Sequence, residues 1–118
     1  MSKELETAIR KINKINVWQF GVFAVSGRIQ VVFKIDNRKM SNKRLLQEIE
    51  LITRKILPAI KDNPIAGYGV RIGAKIHNDA TVFTAIFNED MLKTDWKNKK
   101  LQLSDYTAEY NLASQLRP

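Results

Sequence analysis

Cysteine is missing from this 118-residue chain and histidine occurs once, at position 77. No cysteine means no disulfide and no thiolate metal site, and it suits a reducing, cytoplasmic compartment. One histidine leaves too few ligands for a zinc centre, so no metal and no cofactor is expected. No apolar run approaches the roughly 18 residues of a membrane span, and the start has no signal-peptide pattern. No glycine-rich loop runs from a strand into a helix, so mononucleotide chemistry has no motif. Gly67-Tyr68-Gly69 opens a strand instead. His77 beside Asp79 is ordinary turn composition. Glu48 and Glu50, two apart on a helix, point in different directions. Glu89, Asp90 and Asp95 fit a helix start better than a magnesium site. The expectation is that this chain is no enzyme.

The chain does carry charge. Its net charge is +8, and the excess lies in one half. Residues 1–61 hold 13 Lys or Arg against 5 Asp or Glu, and residues 62–118 hold 7 against 7. Such asymmetry favours a polyanionic partner. It suits a small accessory protein of a plasmid or phage. At 44% apolar, the chain can bury one core. One domain is expected over residues 1–100, followed by an amphipathic tail over 101–118. Tyr106, Tyr110, Ala113 and Leu116 lie at helical spacing in that tail.

Two hairpins organise the rest. In the first, Val17 to Asp36, a two-residue loop at Ser26-Gly27 pairs Ala24, Val22, Phe20 and Trp18 with Ile29, Val31, Phe33 and Ile35. These eight form one buried face, because side chains alternate along a strand. In the second, Tyr68 to Asn88, a loop at Asn78-Asp79 pairs Ile76, Ala74, Ile72 and Val70 with Thr81, Phe83, Ala85 and Phe87. The opposite faces then share Arg28, Lys34, Arg71 and Lys75, with Phe23 among them and no acid between the strand ends.

Helices flank the hairpins. The first is expected from about Lys3 to Asn13, capped by Ser2, with Leu5, Ala8, Ile9 and Ile12 as its stripe. The second is expected from Ser41 as cap to about Leu57, where Pro58 ends or bends it. Met40 and Leu45 form a hydrophobic staple, Leu45, Ile49, Ile52 and Ile56 form its stripe, and Leu46 and Leu51 widen it. Its start holds Arg38, Lys39, Lys43 and Arg44, where cations oppose the helix dipole. A bound phosphate would resolve that conflict, so these four are a candidate anchor. A third helix is expected after Asn88, with Trp96 on its apolar side and Lys97, Lys99 and Lys100 closing it.

The order α-β-β-α-β-β-α implies an α+β fold: an antiparallel sheet of two hairpins with helices on one face. This order resembles that of the LAGLIDADG homing endonucleases, whose sheet faces the duplex. The first helix, L-E-T-A-I-R-K-I-N-K-I, lacks their glycine-rich, acid-ending motif, so the resemblance carries over no residue and no nuclease activity. The leading expectation is a small nucleic-acid-binding protein, for DNA or RNA, with single strands favoured. Arg28, Lys34, Arg71 and Lys75 contact phosphates, Arg38, Lys39, Lys43 and Arg44 anchor beyond them, and Phe23 stacks on a base. The rival is a protein-interaction or homodimer module using Val25, Val32, Val82 and Ile86 on the outer face.

Overall fold

A computed structural model of the chain describes residues 2–12, 15–99 and 107–110. The elements in order are α1 (Ser2–Arg10), β1 (Asn16–Phe23), β2 (Arg28–Lys34), α2 (Asn42–Asp62), β3 (Gly69–Lys75), β4 (Thr81–Phe87), a 3-10 turn (Met91–Lys93) and β5 (Thr107–Tyr110). The fold is α+β, as the pattern implied. The sheet is mixed, with strand order β1-β2-β3-β4-β5. The hairpins join edge to edge through β2 and β3, which run parallel, so the expected antiparallel sheet is corrected. The cause is α2. A parallel pair needs a long crossover, and the 21-residue helix between β2 and β3 supplies it.

The core lies between the helices and one face of the sheet. Leu5 and Ile9 of α1 are fully buried, as are Ile56 and Leu57 of α2. They meet Ile29, Val31 and Phe33 of β2, Val70, Ile72 and Ala74 of β3, and Phe83, Ala85 and Phe87 of β4. Thr53, buried on α2, satisfies its hydroxyl by donating to the Ile49 carbonyl at 2.8 Å.

Ser41 caps α2 as expected, its hydroxyl accepting the Arg44 N–H at 3.2 Å. Met40 and Leu45 both pack against the core. The helix does not stop at Leu57 but runs through Pro58 to Asp62. Proline removes one backbone bond there. The apolar stripe continues beyond it, and burying Leu57 and Ile60 offsets that loss. Leu51 does not widen the stripe, since 48% of it is exposed. Helix α1 ends at Arg10, short of Asn13, and includes Ser2.

The second hairpin keeps its expected register from Val70↔Phe87 to Ala74↔Phe83. The first is shifted by two: Phe23 faces Arg28 and Val22 faces Ile29, closed by residues 24–27. A two-residue turn needs a positive φ at its first position, which serine resists. Here only Gly27 takes it, at φ 61, as the last residue of a longer turn. An even shift preserves faces, so Phe20 and Val22 still pack against the core. Ala24 does not, because it lies exposed in the turn.

Both hairpins are irregular at the same end. The β1/β2 register shifts between Val17 and Gln19, and the β3/β4 register shifts at Ala74/Lys75, where Lys75 faces Thr81. Each bulge exchanges faces. Val17 packs on the core and Trp18 is 50% exposed, reversing the expected burial of Trp18. Val82 enters the core and Thr81 is exposed, reversing the expectation for that pair as well.

The expected third helix is only the 3-10 turn. Asn88 sits two residues before its N-cap, Asp90, and its side-chain oxygen accepts the Met91 N–H at 2.9 Å. Trp96 is 2% exposed, edge-on to Phe87 at 5.7 Å, and donates its indole N–H to the Met91 carbonyl at 3.0 Å. It fastens the segment after β4 to the core and has no face left for a base. Glu89 accepts the Gly67 N–H at 2.6 Å, and Asp95 accepts from the Asn98 amide at 2.8 Å, so these acids serve loops. Of the tail, residues 107–110 form a strand along β4, with Ile86 opposite Thr107, rather than part of a helix. The other positions of the expected tail stripe lie outside the described residues.

Candidate functional site

All the described helices pack on one face of the sheet, which leaves the other face for work. Pairing fixes what stands there. One row across the strands reads Phe23, Arg28 and Gly69. The next reads Gly21, Gln30, Arg71 and Ile86, and the third Gln19, Val32, Gly73 and Thr84. The last holds Asn16, Lys34, Lys75 and Thr81. Arg28, Lys34, Arg71 and Lys75 therefore share one face, as the alternation required. The parallel pairing sets them on two adjacent central strands.

Two depressions adjoin on this face. One, of about 210 Å³, is lined by Trp18, Gln19, Gln30, Arg71, Gly73 and Lys75 among others. The second, of about 280 Å³, is lined by Phe23, Val25, Ser26, Arg28, Gln30 and Arg71. They share Gln30 and Arg71, so they form one shallow trough running along the strands. Glycines shape it. A Cβ on Gly21 would stand 2.9 Å from two carbons of the Phe23 ring. The phenyl ring therefore reaches over Gly21, with 44% of the residue exposed. At the other end Trp18 stands out of its bulge.

The cations are not equivalent. Lys34 and Lys75 occupy paired positions, where like charges repel. Two contacts offset this. The Lys34 ammonium donates to the Asp79 carboxylate at 2.7 Å. The Lys75 ammonium lies 4.1 Å from the Trp18 ring centre and donates to the Asp79 carbonyl at 3.4 Å. The hydrogen bond from Lys34 holds the Asp79 carboxyl below its usual range, with Lys75 adding to the effect. Lys34 is thus already neutralised, which weakens its expected role. No described carboxylate bonds to Arg28.

The helix-start anchor divides in the same way. Arg38 donates two hydrogen bonds to Asp36, at 2.9 and 2.7 Å, and this bidentate contact holds the Asp36 carboxyl far below its usual range. Arg44 pairs with Glu48, one turn along, at 3.0 Å. The conflict with the helix dipole is thereby relieved without a phosphate. Lys39 and Lys43 are exposed. Asn37 and His77 contact each other, so the start of α2 lies at the Lys34–Lys75 end of the trough.

The rival's apolar patch is smaller than expected. Val82 is in the core and Val32 is 8% exposed, while Val25 stands on the turn near Phe23 and Ile86 stays half-buried on the outer face opposite Arg71. Sequence reasoning missed Trp18 and the Gln19–Gln30 pair, in which Gln30 donates to the Gln19 oxygen at 3.1 Å. An unbroken alternation had buried Trp18, and only the bulge releases it. No group of His, Asp or Glu that could hold a metal ion occurs among the described residues, and no described helix is long and apolar enough to cross a membrane. No family model, curated protein or solved structure matches this chain.

Proposed function

We propose that this protein is a non-enzymatic nucleic-acid-binding protein whose trough receives a single strand. The observation that carries the reading is the joint exposure of Trp18 and Phe23 at the rim of a trough whose floor and sides hold Arg28, Arg71 and Lys75. A single strand offers phosphates and unstacked bases together. Cations in a groove follow the backbone, while exposed rings take bases at about 1–3 kcal/mol each. A duplex hides its base faces, so it can use only the cations. Phosphate contacts by trough cations make log affinity fall with log salt, by about 0.7 for each contact on a single strand.

The test is a low-salt mobility-shift assay with single-stranded DNA, duplex DNA and RNA of equal length. Retention of single strands over duplex, falling with salt, supports the reading. Absence of binding to all three at low salt overturns it. A tight dimer in sedimentation with Trp18 and Phe23 buried overturns it in favour of self-assembly.

A further inference from the structure

The two edges of the sheet are guarded unequally. Beyond β4 lies β5, a strand of only four residues that includes Glu109. Short length and charge are common means of keeping a sheet edge from pairing with another chain. The opposite edge is β1, and no described strand lies beyond it. Its eight residues, Asn16–Phe23, include no Lys, Arg, Asp, Glu or Pro. Its one guard is the bulge between Val17 and Gln19. From Gln19 to Phe23 the register with β2 is unbroken. Along such a stretch alternate residues turn their N–H and C=O away from the neighbouring strand, toward the open edge. On the core side of the same stretch, Phe20 and Val22 are only half-covered.

We propose that a second copy of this chain pairs with β1, antiparallel, about a two-fold axis through Gly21. The strand fits its own reverse. With Gly21 opposite Gly21, Phe20 faces Val22 and Gln19 faces Phe23 on both sides of the axis, and directly opposite residues share a face. Phe20 and Val22 then cover each other on the core side, where each is half-covered in the single chain. The unbroken stretch is used from end to end, and the bulge falls outside it. The chain carries a net charge of +8, yet no like charges come into opposition, because β1 has none and the sheet's cations begin on β2 with Arg28 and Lys34. An extended peptide of another sequence would meet the same backbone groups without this matched set of side chains. A patch that complements itself closes as a dimer and does not propagate. The paired segment falls short of the roughly 20–30 residues a side of a standard interface, so association depends on concentration. The dimer stands apart from the single-strand reading. It joins two sheets into one and sets two troughs side by side, with Trp18 and Phe23 still on the open face.

The experiment is sedimentation of the full chain, without nucleic acid, from low micromolar to millimolar concentration, with hydrogen exchange followed on the same samples. The mass shifts from monomer to dimer, and amides within Asn16–Phe23 slow their exchange as it does, while those of β3 and β4 do not. Acrylamide continues to quench the exposed Trp18, since Trp96 is buried in either state. The chain has no cysteine, so a single introduced thiol reports the register. Directly opposite residues of an antiparallel pair stand about 4.5–5.5 Å apart, within disulfide reach. Gly21→Cys therefore cross-links into a covalent dimer under mild oxidation much faster than Asp62→Cys, an exposed position at the far end of α2. A Cβ at position 21 meets only the far end of the Phe23 ring, which can turn aside. Val22→Lys places two charges at the seam and abolishes the dimer. A chain that stays monomeric throughout overturns the proposal and leaves the single-strand reading standing. So does a dimer that shields Trp18 from acrylamide without slowing exchange in β1, or a Gly21→Cys thiol that cross-links no faster than Asp62→Cys. If a variant fails to fold, exchange in the wild-type chain decides the matter.

Discussion

The edge strand β1 and the central pair β2–β3 present the same pleat to solvent and fill it differently. The exposed face of β1 carries Trp18, Gln19, Gly21 and Phe23, with no charge. The central pair carries Arg28, Lys34, Arg71 and Lys75. Beneath them the difference reverses: Phe33, Val31 and Ile72 are fully buried on the central pair, while Phe20 and Val22 of β1 are only partly covered. Stability is therefore concentrated in the centre, and the edge is free to hold exposed rings. Two cationic strands side by side are tolerable because a carboxylate and an indole, one from each flank, take up Lys34 and Lys75.

The largest effect expected from this contrast is on stability. Phe33→Ala, at the buried centre, should cost about 3–5 kcal/mol. Phe20→Ala, on the same face of the edge strand, should cost clearly less, because neighbours cover it only in part. Denaturant unfolding of both variants decides it. Equal losses would mean that β1 is as deeply integrated as β2.

Next comes the indole. Trp18→Ala should weaken single-strand binding by about 1–3 kcal/mol and leave the unfolding midpoint nearly unchanged. Trp96→Ala should do the opposite, since that ring is 2% exposed and packed on Phe87. Titration and thermal melting of the two variants side by side check this. A Trp18 variant that melts early but binds normally would reassign the exposed ring to structure.

That Trp18 had to be found in the structure shows where the sequence stops being legible. Alternation placed the second hairpin in its correct register and gathered the four sheet cations on one face, because those features depend on local periodicity. It failed at Trp18 and Val82, because a single extra residue in a strand flips the faces of its neighbours and leaves no compositional mark. The parallel junction was legible in principle: a helix between two strands is the pattern of a crossover. The loss of Lys34 to Asp79 was not, since these residues are 45 positions apart and meet only because β2 and β3 are neighbours.

A smaller effect separates cations from rings. Arg28→Ala should flatten the salt slope by about 0.7 and weaken binding to every sequence alike. Phe23→Ala should lower affinity without changing the slope. Binding titrations at several salt concentrations distinguish them. An unchanged slope for Arg28→Ala would remove that guanidinium from the phosphate path.

The subtlest prediction concerns the cation that the central pair keeps neutralised. Asp79 takes a left-handed backbone, φ 65, in the turn between β3 and β4. Asparagine tolerates that conformation as well as aspartate does, so Asp79→Asn leaves the turn intact. It removes the charge that holds Lys34, and it leaves the backbone carbonyl that Lys75 uses. A freed Lys34, one strand from Lys75, adds a phosphate contact, so affinity should rise and the salt slope steepen by about 0.7. Acid should release Lys34 in the wild type too, with a definite sign. The Asp79 carboxyl is held below its usual range, so the pair is intact above that range and is lost only as pH falls through the lowered value. Binding compared at pH 7 and pH 4 should therefore leave the wild type still paired and weaker than Asp79→Asn at both. If the two proteins bind alike at pH 7, Lys34 is not within reach of the strand and the trough ends at Lys75.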